Sequence, residues 1–211
     1  MTTSLNFAGT ISSYLVIPYN TALDFGTGDF TIEWYHYETD TNPFPRPFSR
    51  GTYSGATIAV SIEGDTFYLW HNFNTPISFS VTHDQWNHFA ICRASGFTQV
   101  FLNGISKGGY IDDADYTSAY NLTICNESTR FIESAFGGYM TYFSWNKGFA
   151  RYTEDFIVSN TYPEILPSTV LMLSAYGNLG TLGPNVVNSN VGTFESVPGD
   201  WSPKKTSVEI E

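Results

Sequence analysis

Trp70, His71 and Asn72 follow one another at the end of an apolar run, Phe67-Tyr68-Leu69. An indole face packs against the C–H surface of a sugar, while an imidazole and a carboxamide bond its hydroxyls, so these three side chains are suited to a glycan contact. Tyr37 and Trp145, with Tyr35, are further candidates on exposed strand faces. The chain holds 17 Phe, 14 Tyr and 5 Trp, and most of them must fill a core.

Acid–base hydrolysis of a glycosidic bond needs two carboxylates about 5 Å apart, which on a strand means an even spacing on one face. Glu33 and Glu38 are an odd number of positions apart and point to opposite faces of a regular strand. Asp40 lies in a proline-rich stretch, and Glu127 and Glu133 are separated by the turn-like Ser128-Thr129-Arg130. Glu33, flanked by Ile32 and Trp34, is expected on the face away from the core, paired with an arginine such as Arg93. No catalytic residue is assigned.

The histidines are His36, His71, His83 and His88. His83 and His88 bracket a turn and a strand start, with no Cys or third His beside them, which is not a zinc pattern. His88 is expected opposite Phe89 and Ile91, bonded to a neighbour. Gly51-Thr52-Tyr53-Ser54-Gly55 places its serine one position too late for a nucleophile elbow. Glycine-rich phosphate loops followed by lysine are absent from the sequence.

These groups must be positioned by strands. Runs with period-2 alternation or β-branched and aromatic enrichment predict strands near 4–8, 13–17, 29–38, 56–62, 66–72, 76–81, 86–94, 98–103, 120–125, 137–146 and 168–173, with weaker ones near 184–188 and 192–197. Ser95-Gly96 and Asn103-Gly104 have the residues of tight hairpin turns. A single helical turn is expected around Thr153–Phe156. Pro43, Pro45 and Pro47 make 39–48 a stiff loop, and Asp112, Asp113 and Asp115 mark 109–119 as a solvated acidic loop.

The 211 residues carry nine Lys and Arg against 20 Asp and Glu, a net charge of −11. A nucleic-acid groove needs a positive stripe, and an anionic membrane repels such a chain, so no nucleic acid is expected as a partner. No apolar run approaches the length of a membrane helix, so no membrane insertion is expected. The N-terminus lacks the pattern of a signal peptide, and the sequons at Asn121 and Asn126 are read as chance. Cys92 and Cys125 could face each other across neighbouring strands; thiols are expected rather than a disulfide.

Two stretches carry a resemblance. Ala22, Leu23, Asp24, Gly28, Phe30, Thr31, Ile32, Glu33 and Trp34, then Trp86, His88, Phe89, Ile91, Arg93 and Val100 to Gly104, resemble the signature segments of laminin G-like, concanavalin A-like lectin domains. Leu5-Asn6-Phe7, Tyr14 to Pro18, and Phe136 to Phe143 fit the same order, so the likeness spans about 5–160. It implies an all-β fold, a concanavalin A-like β-sandwich of two antiparallel sheets in jelly-roll arrangement. Residues 1–160 would form the sandwich, and 161–211 a strand-rich C-terminal extension packed on it or on a neighbouring subunit. Such domains often hold calcium at loop carboxylates, for which Asp112, Asp113 and Asp115 are candidates, with Asp24 and Asp29 read first as turn residues bonding their own backbone. No cofactor is required.

Thr169-Val170-Leu171-Met172-Leu173 leading into an asparagine-rich segment is similar to virion proteins of tailed phages and large DNA viruses. The first expectation is therefore a non-enzymatic structural or decoration protein of a virion, assembled in the host cytoplasm, with other structural subunits as partners and a cell-surface glycan as a further one. The alternative is a carbohydrate-binding lectin module. A glycoside hydrolase or lyase on this scaffold comes third.

Overall fold

The computed structural model describes residues 3–39, 42–52, 55–129, 131–159, 166–173, 195–196 and 203–205. Its strands are β1 (Thr3–Ala8), β2 (Leu15–Ile17), β3 (Phe30–Glu38), β4 (Phe48–Arg50), β5 (Ile58–Glu63), β6 (Thr66–His71), β7 (Asn74–Ser80), β8 (Trp86–Ala94), β9 (Phe97–Leu102), β10 (Ile105–Ile111), β11 (Leu122–Ile124), β12 (Gly137–Lys147), β13 (Thr169–Leu173), β14 (Glu195–Ser196) and β15 (Pro203–Lys205). Single 3-10 turns form at Thr21–Leu23 and Ile132–Ser134. Among the described residues no helix is long and apolar enough to cross a membrane.

The strands make the two antiparallel sheets that the sequence predicts. One runs β10-β9-β8-β3-β12-β1-β15, with β13 also paired to β12, and the other runs β14-β2-β11-β4-β5-β6-β7. β1 and β13 share one side of β12, the first reaching Met140 and the second starting at Phe143. Between them β12 bulges: its pairing with β3 shifts between Thr141 and Ser144, and Tyr142 takes φ +52°.

The bulge decides which residues reach the core. Before it Met140 points inward; after it the extra residue reverses the alternation, and Phe143 and Trp145 point inward instead. Trp145 is therefore fully buried, its indole N–H donating to the Leu23 carbonyl at 3.1 Å. The expectation that it offers an exposed face is corrected. Trp34 stacks on Phe89 at 5.2 Å within one sheet and meets Phe48 of the other edge-on at 5.4 Å, so one indole bridges both layers. Burial of side chains this large stabilises by roughly 1.5–3 kcal/mol each.

Two strands depart from the sequence reading. β4 is three residues long and emerges straight from the proline stretch, too short to show a period. β10 takes in Gly109–Ile111 of the expected acidic loop, and its Gly108 and Gly109 hide it from strand propensity. The remainder of that loop is not simply solvated: Asp112 is 3 % and Tyr116 1 % exposed. The weaker strand expected near 184–188 lies outside the described residues.

Residues 149–159 form a strap across the outer face of the first sheet. The expected helical turn at Thr153–Phe156 is absent because its polar groups bond outward: the Phe156 N–H donates to the Gly104 carbonyl at 2.9 Å, and Asp155 accepts from the Ser106 N–H at 2.8 Å. Tyr152 and Phe156 stack at 3.5 Å and pack with Ala150 over Ala90, Cys92 and Phe101. Cys92 thus sits under the strap, whereas Cys125 follows β11 in the other sheet; the two are free, buried and not on neighbouring strands.

Candidate functional site

Glu33 of β3 is a heavily engaged carboxylate. It lies on the outer face, as its flanking residues require, but its partners are His88 Nε2 at 3.4 Å and Arg151 Nε at 3.1 Å, with Tyr152 and Ser144 hydroxyls donating at 3.0 and 3.4 Å. The expected pairing with Arg93 is wrong: Arg93 shares the core-facing parity of Phe89 and Ile91 and reaches Asp112 instead. Burial raises the carboxyl's affinity for a proton, but His88, Arg151 and Tyr152 outweigh it and hold Glu33 below its ordinary range. The same charge helps burial to push the Tyr35 hydroxyl up to about 12. This cluster, 1 % exposed at Glu33, fastens the strap to the sheet.

Among the described residues Glu33 and Glu38 do not pair with each other, and Asp40 lies outside the described residues. Glu38 has the opposite parity to Glu33 and meets His83 Nδ1 at 3.2 Å. His83 and His88 accordingly serve different faces. Glu127 is fully buried beside Arg46 at 3.6 Å, while Glu133 is exposed.

Asp112, Asp113 and Asp115 have separate surroundings. One Asp112 oxygen accepts from the Thr98 and Tyr116 hydroxyls at 2.6 and 2.8 Å, and the Arg93 guanidinium stands 3.9 Å from it. Asp115 bonds Thr117, and Asp113 is exposed. A donor set already holding hydroxyl protons and an arginine does not suit a hard cation. Among the described residues no group of three acidic, His or Cys side chains is placed to hold a metal. Asp24 and Asp29 do not bond their own backbone either: Asp24 accepts from Arg50 and the Ser118 N–H, and Asp29 from the Ser95 N–H.

The outer face of the second sheet is different. On β6 the residues alternate, Phe67 and Leu69 entering the core while Tyr68 and Trp70 point out and remain partly exposed, their rings 6.4 Å apart. Pairing places Ser61 of β5 and Ser78 of β7 on either side of Tyr68, and Glu63 and Ser80 on either side of Thr66. The Trp70 indole N–H donates to Ser61 Oγ at 2.7 Å, which in turn donates to Glu63 Oε1 at 2.9 Å. The Arg46 guanidinium lies over the ring at 5.6 Å, fixing its plane. Two aromatic faces, hydroxyls and a carboxylate thus share one surface of the β5–β6–β7 edge.

The sequence-predicted residues divide among three places. Trp70 belongs to this face. His71 turns the other way, its Nδ1 2.5 Å from the Thr57 carbonyl oxygen and its ring against Tyr116 at 4.8 Å, and Asn72 is exposed in the hairpin turn beyond it. Tyr37 lies on the first sheet, in a row with Trp86 and Tyr139 at 6.1 and 6.3 Å, and Tyr35 is buried beneath Ser159. Tyr68, Ser61 and Glu63 were missed; Tyr68 was legible as the i−2 neighbour of Trp70, but the other two arrive only through register.

No protein-family model and no curated protein matches this sequence. Solved structures do match in fold. A provisionally assigned carbohydrate-binding protein from Bacteroides ovatus superposes with a TM-score of 0.60 at 15 % identity, over 84 % of this chain and 52 % of that one. The heptameric SAP-like pentraxin of Limulus polyphemus gives 0.52 at 13 % identity, over 68 % and 75 % of the two chains. Domains LG4-5 of the mouse laminin α1 chain give 0.50 at 11 %, over 72 % and 44 %. The chain spans about half the length of the Bacteroides protein. With its two antiparallel sheets, the protein has a lectin-like, laminin G-like β-sandwich fold.

Proposed function

We propose that the protein is a non-enzymatic carbohydrate-binding module that engages glycan on the β5–β6–β7 outer face. The observation that carries this reading is Trp70: a partly exposed indole locked by Ser61 and Arg46, beside Tyr68 and linked through Ser61 to Glu63. A fixed aromatic plane stacks on sugar C–H groups without losing rotamer entropy on binding, and the Glu63 carboxylate with the exposed Ser78 and Ser80 hydroxyls can accept from or donate to sugar hydroxyls. The likeness to the Bacteroides protein supports it more than it supports a virion subunit. Glu33 and Glu38 on opposite faces support binding without turnover.

Native protein and Trp70→Ala are compared on an array of plant, microbial and animal glycans, with urea denaturation run in parallel. The native chain is expected to select a subset of glycans, and Trp70→Ala to lose them while its folding transition stays cooperative. Equal binding by both proteins would move the site elsewhere, and a native chain silent on the array would end the carbohydrate reading.

A further inference from the structure

Among the described residues three hairpins close with the same two-residue turn, both central residues at positive φ. In Ser95-Gly96 the values are +51° and +76°, in Asn103-Gly104 +52° and +80°, and in Asn72-Phe73 +42° and +66°. The second position is the one where glycine escapes the clash between Cβ and its own backbone. Two turns have it; the β6–β7 turn has phenylalanine, among the residues least at ease at positive φ.

Among the described residues no contact of the ring repays the strain. Phe73 is 71 % exposed and makes no ring contact among the described residues. The turn beneath it is nonetheless fixed. The Asn72 N–H donates to the Ala56 carbonyl at 2.9 Å, Asn74 Nδ2 donates to the Asn72 carbonyl at 3.1 Å, and Asn72 Nδ2 lies 3.2 Å from His71 Nε2. An exposed aromatic ring is thus held at a rigid tip, three residues beyond Trp70 on the same hairpin. Backbone strain kept at an exposed side chain points to a role outside the fold.

We infer that Phe73 is a second stacking platform of the Trp70 site, and that the ligand is an oligosaccharide long enough to run from Trp70 to the hairpin tip. This rests on the carbohydrate reading. A fixed Trp70 alone selects for a single sugar ring; a second ring carried on a rigid turn further along the strand direction rewards chain length. Asn72 and Asn74, exposed around the ring, supply donors and acceptors for the hydroxyls of the outer sugar units.

The test is Phe73→Gly, which installs the residue of the two sister turns and cannot fail by misfolding for lack of turn propensity. Its urea midpoint is expected to rise. On arrayed glycans presented in graded lengths from single sugars upward, it is expected to bind the longer members roughly tenfold more weakly than the native chain while short members are unchanged. Trp70→Ala is expected to lose both. If Phe73→Gly keeps the native preference for length, or the native chain shows none, the inference falls while carbohydrate binding stands. If the native chain binds no glycan, both fall together.

Discussion

The Phe156 N–H donates to the Gly104 carbonyl at 2.9 Å, and a Cβ on Gly104 would collide with the carbonyl oxygen of Phe156. Glycine here meets two demands at once, a turn φ of +80° and the contact of the strap with the β9–β10 hairpin. Gly26 has a positive φ as well, with open space where its Cβ would be. Gly26→Ala is therefore expected to cost about 1 kcal/mol, the conformational penalty alone. Gly104→Ala is expected to cost well above 2 kcal/mol and to make Cys92 accessible to thiol reagents, because the strap must lift. Urea titration with thiol labelling of both variants checks this; equal costs would show that the strap carries no load.

His36 is buried against Phe89 and Phe136, and its Nδ1 accepts the Trp34 indole N–H at 2.9 Å. Burial, helped by the charge of His83, pushes its pKa down to about 3. An unfolded histidine takes its proton near 6.5, so between pH 6.5 and 4.5 the unfolded chain binds a proton that the folded chain refuses. Stability is expected to fall by about 1.4 kcal/mol per pH unit in that window. His36→Gln keeps an acceptor for Trp34 and is expected to flatten the slope. A native chain equally stable at pH 7 and pH 5 would show that His36 takes its proton within the fold.

Glu33 acts lower on the scale. Its carboxyl is held below the ordinary 4.5 by His88, Arg151 and Tyr152 against the effect of burial. A depressed carboxyl contributes stability that is present above its unfolded value and is lost as pH falls through the folded one. Glu33→Gln is expected to cost roughly 3–5 kcal/mol at pH 7, since it leaves Arg151 and His88 facing a neutral amide. The gap to the native chain should then narrow as pH drops below 4.5. A gap constant from pH 7 to pH 3 would mean that packing, not charge, holds the strap.

The legible parts of this fold are those where side-chain alternation is uninterrupted. β3, β8 and β9 read directly from Phe30, Ile32 and Trp34, from Phe89 and Ile91, and from Val100 and Leu102, and Asn103-Gly104 announces its own turn. Trp145 was misplaced because one residue at Tyr142 reverses the period and leaves no compositional trace. Arg93 and Asp112 meet across 19 positions on the core side, a contact that parity allows but spacing cannot choose. At the site, Trp70 was recognisable by type. Ser61 and Glu63 depend on the β5–β6 register, whereas Phe73 is a local signal, standing where a turn asks for glycine.

Arg50 offers the sharpest test of how the sandwich end is closed. Its guanidinium donates to the Asp24 carboxylate at 2.5 Å and to the carbonyls of Leu23 and Ser118 at 2.8 and 2.7 Å, tying the turn before β3 to the loop before β11. Five donors in a planar fork can meet these acceptors together; an ammonium on a flexible stem cannot. Arg50→Lys keeps the charge yet is expected to cost about 3 kcal/mol, because at least one buried carbonyl loses its donor. Arg50→Met should cost at least as much, since it leaves the Asp24 carboxylate buried without its cation. Both costs should be insensitive to salt, as the network is out of reach of screening ions. Denaturation at low and high ionic strength checks both points. A lysine variant within 1 kcal/mol of the native chain would show that charge alone, and not the fork, closes this end.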